Sequence, residues 1–305
     1  MLLYTLRRLL LAVLVAFTVS IISFGLLRLS GDLAAAIAGP EATEAQIEAI
    51  RVDFGLDQPL VMQYVDWLLG ALRFDFGNSF YFRDSVVSLV ADRLPVTLTL
   101  GALAIMFALI VSIPLGVLAA VKQNTWIDRS ALTIAVSGQA MPSFWFALIL
   151  ILVFAVNLRW LPVSGSGTWA HFILPAVALG YYATPAIMRL TRTGMLDVLA
   201  SDYIRTARAK GVRPGKVLFK HALRNAVIPV VALAVVQFGF ILSGSIVIET
   251  IFSLQGLGLL MWESIGRRDF PVVQAVLLLI AMMYVALAFI ADLLNAWLDP
   301  RIRVA

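Results

Sequence analysis

The chain has 305 residues, of which 61% are hydrophobic and only 13% are charged, and its mean hydropathy is +0.95. So few charges, together with long uncharged runs, exclude an ordinary soluble domain and indicate a protein that crosses the membrane several times. The net charge of +5 does not point to nucleic acid because the basic residues concentrate in one loop, and the absence of cysteine excludes disulfides and thiolate sites.

The uncharged runs predict six membrane-spanning helices. The first follows Arg7 and Arg8 and resembles a signal peptide, but its apolar stretch is longer than a usual signal-peptide core, so we expect an uncleaved span. Each run is long enough to cross about 30 Å of hydrocarbon as a helix. The predicted spans are residues 9–29, 95–121, 131–156, 172–190, 226–249 and 271–293.

A long segment, residues 30–93, separates the first two spans. Thr43 followed by Gln46 predicts a capped helix, and residues 61–72 have the spacing of an amphipathic helix. We therefore expect small helices on the outer membrane surface. An aromatic cluster follows them, which is more typical of the membrane interface than of a ligand contact; its members are Phe74, Phe76, Phe80, Tyr81 and Phe82.

Lysine and arginine are distributed unevenly between the segments that join the spans. Most of them fall in segments that lie on one side if the N-terminus is inside the cell, and six spans return the C-terminus to the same side. Proline also interrupts several spans, at Pro114, at Met141-Pro142, and at Pro175 and Pro185, and predicts kinks there.

Residues 190–225 form the main basic stretch. Ser201 or Asp202 can cap a helix that runs to Lys210, Gly211 suits a left-handed C-terminal cap, and Pro214 prevents continuation. A short capped helix outside the bilayer, between two spans, is a natural docking surface for a partner.

The sequence contains no convincing catalytic or metal site. Gly211 to Lys216 lacks the spacing and the Ser/Thr of a phosphate loop, so we expect no ATP binding by this chain. His171 and His221 are far apart and lack partners at metal-ligand spacing. A serine protease built on Ser166 and His171 is imaginable, but a flexible interfacial turn explains that loop with fewer assumptions.

Charged residues are scarce inside the spans. Glu249 and Asp292 lie at span ends rather than at mid-membrane, which disfavours an ion-coupled carrier. Four polar residues within spans are candidates for a translocation path, with hydrogen bonding between helices as the alternative interpretation. They are Gln139, Gln237, Ser243 and Ser245.

Several motifs, in the same order along nearly the whole chain, resemble the permease subunits of ABC importers. In particular they resemble the first-permease ("B") type of the dipeptide, oligopeptide and nickel branch. The general loop pattern Glu-Ala-Ala-x-x-x-Gly is replaced here by Arg205, Thr206 and Ala207 before Gly211, a departure that is usual for that branch. The motifs are residues 203–211, 221–226 with Pro229, 55–60, 93–98, 113–116, 252–258 and 298–303.

The resemblance implies a type I ABC importer permease fold, with residues 1–305 as one transmembrane domain. It implies a coupling helix that docks on a cytoplasmic ATPase, comprising Asp202, Tyr203, Arg205, Thr206, Ala207, Arg208, Ala209, Lys210 and Gly211, with Asn225 nearby. Tyr203 and Ala207, one turn apart, form a knob and a small platform.

The implied partners are a second permease in a heterodimer, two ATPases that carry ATP and Mg, and an extracytoplasmic substrate-binding protein, in the bacterial inner membrane. This chain would be non-catalytic and bind no cofactor itself. The implied solute is a short peptide, and glutathione, nickel complexes or oligosaccharides are the alternatives within the family. An ion-coupled secondary carrier is the rival from another class.

Overall fold

The computed structural model describes residues 2–29, 31–39 and 41–298, and the regular elements within those ranges are helices. Residues 299–305, which hold most of the motif at residues 298–303, lie outside the described residues. The elements are α1 (Leu2–Leu29), α2 (Leu33–Ala38), α3 (Glu44–Asp53), α4 (Leu60–Leu72), α5 (Val86–Val121), α6 (Trp126–Ala140), α7 (Ser143–Leu150), π1 (Ile151–Asn157), α8 (Ala170–Leu199), α9 (Asp202–Ala209), α10 (Pro214–Lys216), π2 (Val217–Leu223), α11 (Arg224–Ala226), α12 (Ile228–Ile251), α13 (Leu257–Gly266) and α14 (Phe270–Leu298).

Five of these helices, α1, α5, α8, α12 and α14, are long and apolar enough to cross a membrane. A sixth span results if α6 and the helix at Ser143–Asn157 count as one, although they meet at 105°. The break falls at the predicted Met141-Pro142, where Met141 is extended because the proline ring disfavours a helical residue before it. The all-helical membrane class is confirmed. The predicted third span corresponds to a sharply bent pair of helices, and six spans result only if that pair crosses the membrane as one.

Two core helices extend beyond the apolar runs. α5 begins at Val86, where the Ser85 hydroxyl accepts from the Ser88 amide, and α8 continues to Leu199. Hydropathy marks only the part of a helix that lies in lipid, whereas caps and partner helices decide where it ends. The predicted kink prolines Pro114, Pro175 and Pro185 lie inside these two helices.

The α5–α8 pair has the most extensive contact in the bundle. Small residues line it: a Cβ atom added to Gly116 would stand 2.7 Å from the Thr191 Cβ atom, closer than side chains pack. In lipid, helices associate through such close van der Waals packing. α12 packs on this pair and on α14, and α14 packs on α1.

The bundle has two distinct ends. One end, which we call the basic end, contains the last residues of α5 and α8 and the whole of α9. α1 also begins there, since Arg8 pairs with Asp292, near the end of α14, at 2.9 Å. α5 begins and α12 ends at the other end, which we call the opposite end and which also carries α13.

The segment before α5 folds into α2, α3 and α4. The predicted capping box is confirmed, because Thr43 and Gln46 exchange side-chain and backbone hydrogen bonds. Arg51 bonds Asp32 at 2.6 Å and holds the pKa of that carboxyl below its ordinary value. α4 rests on α1 through Tyr64, whose hydroxyl lies 2.7 Å from the Ser20 hydroxyl.

Candidate functional site

The basic stretch folds into α9 at the basic end of the bundle. Ser201 occupies the N-cap position with an extended backbone, although its hydroxyl bonds the Val198 carbonyl and not α9. Gly211 follows the helix at φ +71°, a left-handed conformation that costs glycine little and other residues more. Pro214 then starts the next helix. The structure therefore has the predicted N-cap residue, the left-handed glycine after α9 and the proline that begins the next helix.

One face of α9 is buried and the other is exposed. Ile204 is 0% exposed, and Ala207 is half-buried against the apolar cluster that surrounds Ile204. Tyr203 is exposed, and its hydroxyl accepts from the Asn225 amide at 2.8 Å, which brings Asn225 next to the helix. The other predicted coupling residues are also exposed: Asp202, Arg205, Thr206, Arg208, Ala209, Lys210 and Gly211.

Ile204, which the sequence analysis did not single out, joins α9 to the core. It belongs to a buried cluster with residues at the ends of α5 and α8 and in π2 and α11: Val117, Ala120, Met195, Val217, Ala222 and Ala226. Because interiors are close-packed, a displacement of α9 must move these helix ends or break the cluster. The available sequence signal was one strongly apolar residue, between Tyr203 and Arg205, in an otherwise polar helix.

An ion pair ties the start of α6 to α8 at the same end. The Arg192 Nε and Nη2 atoms lie 2.8 Å and 2.7 Å from the two carboxylate oxygens of Asp128, in a fork-like arrangement. Asp128 is 3% exposed and also accepts from the Asn124 amide. The sequence analysis missed this pair because nothing local relates positions 128 and 192.

At the opposite end, Glu249 holds α13 in place. Its carboxylate is 0% exposed and accepts from the Thr97 hydroxyl at 2.8 Å and from the Gly258 and Leu259 amides at 2.7 Å and 3.2 Å. These amides lie in the first turn of α13, where backbone N–H groups have no partner within the helix and where a negative charge is favourable. One side chain of α12 thus joins α5 to α13.

Asp269 forms a second buried acidic contact at this end. It is 0% exposed, bonds the Ser79 hydroxyl, and accepts from the Phe80 and Tyr81 amides at 3.1 Å and 3.3 Å. It therefore fastens the loop before α5 to the turn between α13 and α14. Local sequence patterns gave no indication of this contact.

Two of the four polar candidates for a path come together. Gln139 and Gln237 line an open groove of about 500 Å³ between α6, α8 and α12, with the exposed rings of Tyr182 and Phe240 also in its lining. The residues that line it include no ionisable acid, lysine, arginine or histidine. We call this space the amide groove.

The two serines lie elsewhere. Ser243 is exposed and bonds the Gly239 carbonyl at 3.3 Å, and Ser245 is buried and bonds the Leu242 carbonyl at 2.9 Å. Neither belongs to the lining of the amide groove.

The His171 ring is bonded by the Thr168 hydroxyl at 2.9 Å rather than by Ser166. Within residues 2–29, 31–39 and 41–298, no group of three or more His, Cys, Asp or Glu side chains is arranged to hold a metal ion.

Comparison with known proteins gives a consistent result over the whole length. Residues 112–304 match the family described as "Binding-protein-dependent transport system inner membrane component", and residues 1–101 match the N-terminal model of such membrane components. The chain is 44% identical over 304 residues, 99% of both chains, to the "Glutathione transport system permease protein GsiC" of Escherichia coli strain K12. The protein of that name from Shigella dysenteriae is equally similar.

Solved structures support the fold. A chain from the inward-facing conformations of the MetNI methionine ABC transporter superposes with a TM-score of 0.59 at 20% identity, covering 69% of this chain and 96% of that one. A chain from an amino acid ABC transporter gives a TM-score of 0.50 at 16% identity. The helices, the family match and these superpositions agree, so this multi-pass inner-membrane chain belongs to the binding-protein-dependent permeases, as an ABC importer subunit of the peptide and nickel family with the type I fold.

Proposed function

We propose that this chain forms one half of the translocation path of an ATP-driven importer and couples it to cytoplasmic ATPase subunits through α9. The observation that carries the proposal is the two-sided character of α9. Its charged face is exposed, while Ile204 packs on the ends of α5 and α8. Such a helix can bind a partner on its exposed face, and when the partner moves the helix, its buried face displaces the ends of α5 and α8.

The proposed path runs along the amide groove. Tyr182 belongs to α8 and Gln139 to α6, and these two helices are tied near the basic end by Asp128 and Arg192. Movement of α9 therefore reaches one wall of the groove, whereas Gln237 and Phe240 belong to α12 in the other wall. Closure of the ATPases, with ATP and Mg bound there, would switch the groove between outward- and inward-facing states by rigid-body motion.

The proposed orientation places the basic end, and with it both termini, in the cytoplasm. Lys122, Arg129 and the basic residues from Arg189 to Arg224 then lie inside, as the positive-inside rule expects. The opposite end faces the substrate-binding protein.

A second permease would complete the groove, since Tyr182 and Phe240 on its lining are about half exposed, at 53% and 54%. A groove that is open along one side in a single chain becomes a closed path between two. The proposed partners are accordingly a second permease, two ATPases and an external binding protein.

The proposed solute is a short peptide, with glutathione, itself a tripeptide, as the first candidate because relatives at 44% identity carry that name. Carboxamides and hydroxyls in the groove lining suit a solute rich in amides. Nickel complexes and oligosaccharides remain the family alternatives. An ion-coupled carrier is less well supported, because Asp128, Glu249 and Asp269 are each held by protein donors.

The test is uptake into proteoliposomes that contain the chain with its co-purified subunits. Labelled glutathione, a dipeptide and a nickel complex are compared, with the binding protein outside and ATP inside. We expect ATP-dependent accumulation of glutathione or the peptide that an ionophore does not abolish. Ionophore-sensitive uptake without ATP, or repeated purification of the chain alone under conditions that preserve a known ABC importer, would contradict the proposal.

A further inference from the structure

A small cavity lies where the end of α1 meets α2, α4 and the start of α14. Its volume is about 150 Å³, room for about five water-sized groups. Arg28 and Gln274 are its polar lining residues, and we call this space the Arg28 cavity. Its walls are mostly aromatic: Phe24, Phe54, Trp67, Phe76, Phe80 and Phe270.

Two hydrogen-bond donors in this cavity have no acceptor within the described part of the chain. They are the Nε atom of Arg28 and the Nε2 atom of Gln274, both buried. A buried donor without a partner is costly, and a charged one more so, which is why such groups are normally satisfied. These two donors therefore need an acceptor.

The residues that line the cavity include no carboxylate to supply that acceptor. The nearest acids in the sequence are engaged elsewhere. Asp32 pairs with Arg51 at 2.6 Å, and Asp269 bonds the Ser79 hydroxyl and two backbone amides. The Arg28 guanidinium carbon lies 4.8 Å from the centre of the Phe24 ring, a contact that orients the charge without neutralising it.

We propose that the Arg28 cavity binds the phosphate group of an anionic phospholipid. Arg28 stands directly beyond the apolar stretch Thr5–Leu26, at the depth of the lipid headgroups. The guanidinium is suited to phosphate oxygens, and a second oxygen can accept from Gln274. Because both donor atoms are buried, the aromatic walls shield them from water and so strengthen both contacts.

The surface beside the cavity suits the rest of such a lipid. Ile21 of α1, three residues before Phe24 and seven before Arg28 and therefore near the same helix face, is about half exposed and offers apolar surface for an acyl chain. A lipid bound in this way would bridge α1, α4 and α14, whose residues Arg28, Trp67 and Gln274 share the cavity. It would therefore fix the segment before α5 against the bundle.

The test is lipid binding to the full chain in the assembly with which it purifies, measured by native mass spectrometry after detergent delipidation. Phosphatidylglycerol and phosphatidylcholine are titrated separately against wild type, Arg28→Gln, Arg28→Lys and Gln274→Leu. The matched control is Arg73→Gln, since Arg73 is exposed at the end of α4 and does not line the cavity.

We expect Arg28→Gln to weaken phosphatidylglycerol binding about ten-fold, as loss of a charge-assisted pair should, with phosphatidylcholine little affected. Arg28→Lys should fall between wild type and Arg28→Gln, and Gln274→Leu should lose several-fold. If Arg28→Gln does not assemble, the comparison of phosphatidylglycerol binding between Gln274→Leu and Arg73→Gln tests the proposal.

Three results would overturn the proposal. The first is equal loss in Arg28→Gln and Arg73→Gln, which would reflect general surface charge. The second is unchanged binding in both Arg28→Gln and Gln274→Leu. The third is full displacement of phosphatidylglycerol by millimolar inorganic phosphate or glutathione, which would make this a site for a free anion or for solute.

Discussion

Gly211 is the residue of the proposed coupling surface at which the backbone conformation most directly restricts substitution. Its φ of +71° disfavours a β-branched side chain by about 1–2 kcal/mol. We expect Gly211→Val to tilt the exit of α9, so that uptake falls at least about ten-fold while membrane insertion and assembly persist. Uptake and ATP hydrolysis are measured together in proteoliposomes.

Gly215 provides the matched control for this substitution. It lies four residues later, in α10, has open space around it and is not among the positive-φ glycines. Gly215→Val should therefore transport normally. Normal uptake in Gly211→Val would remove the assignment of α9 as the coupling helix.

Glu249 is expected to matter for stability rather than for chemistry. Glu249→Gln keeps one acceptor but turns an amide NH₂ toward donors, so a buried N–H group at the start of α13 loses its partner. The free energy of unfolding should therefore fall by about 1–3 kcal/mol. This loss should exceed that of the control Glu263→Gln on α13, because Glu263 is only half-buried. Thermal unfolding in detergent measures both. Equal stability of the two variants would contradict this role.

Local signals in the sequence predicted residues such as Gly211, Thr43 and Pro142, because their effects arise within one or two turns of chain. Glu249 was visible only as a charge near a span end. Its partners, Thr97 and Gly258, come from other helices, and no spacing rule relates them. The same reason hid Asp269, whose partners Ser79 and Phe80 are far from it in the sequence.

The junction of α6 and α8 depends on the Asp128–Arg192 pair at the scale of elements. Removing Arg192 leaves the buried Asp128 carboxylate uncompensated, at a cost of about 3–5 kcal/mol, whereas removing Asp128 leaves Arg192, whose side chain is 21% exposed and can be hydrated. We therefore expect Arg192→Ala to destabilise the chain more than Asp128→Ala does, and the double variant to cost less than their sum by about 1–3 kcal/mol. Chemical unfolding of all four proteins measures this coupling.

Arg189 of α8 is the control for that cycle because it is exposed. Arg189→Ala combined with Asp128→Ala should be additive. Strict additivity between positions 128 and 192 would show that the two helices are held by apolar packing alone.

At the scale of the whole molecule, hydropathy was sufficient for the all-helical membrane class and for the five long spans, because lipid contact imposes a simple length requirement. It did not give the 105° bend between α6 and the following helix, although the proline that allows it was evident. Nor did it separate Gln139 and Gln237 from Ser243 and Ser245. Which face of a helix meets a groove depends on how the helices are rotated against one another.

The amide groove gives the decisive prediction at this scale. Gln139→Leu and Gln237→Leu remove carboxamides from opposite walls and keep similar volume, so each should lower uptake of a peptide solute several-fold while ATP hydrolysis continues. Ser243→Ala, on an exposed residue outside the groove lining, should transport like wild type. Proteoliposome uptake at several solute concentrations separates weaker binding from slower transport. If Ser243→Ala is impaired and both glutamine variants are normal, solute must cross along another face of α12, and the second permease would have to pack there instead.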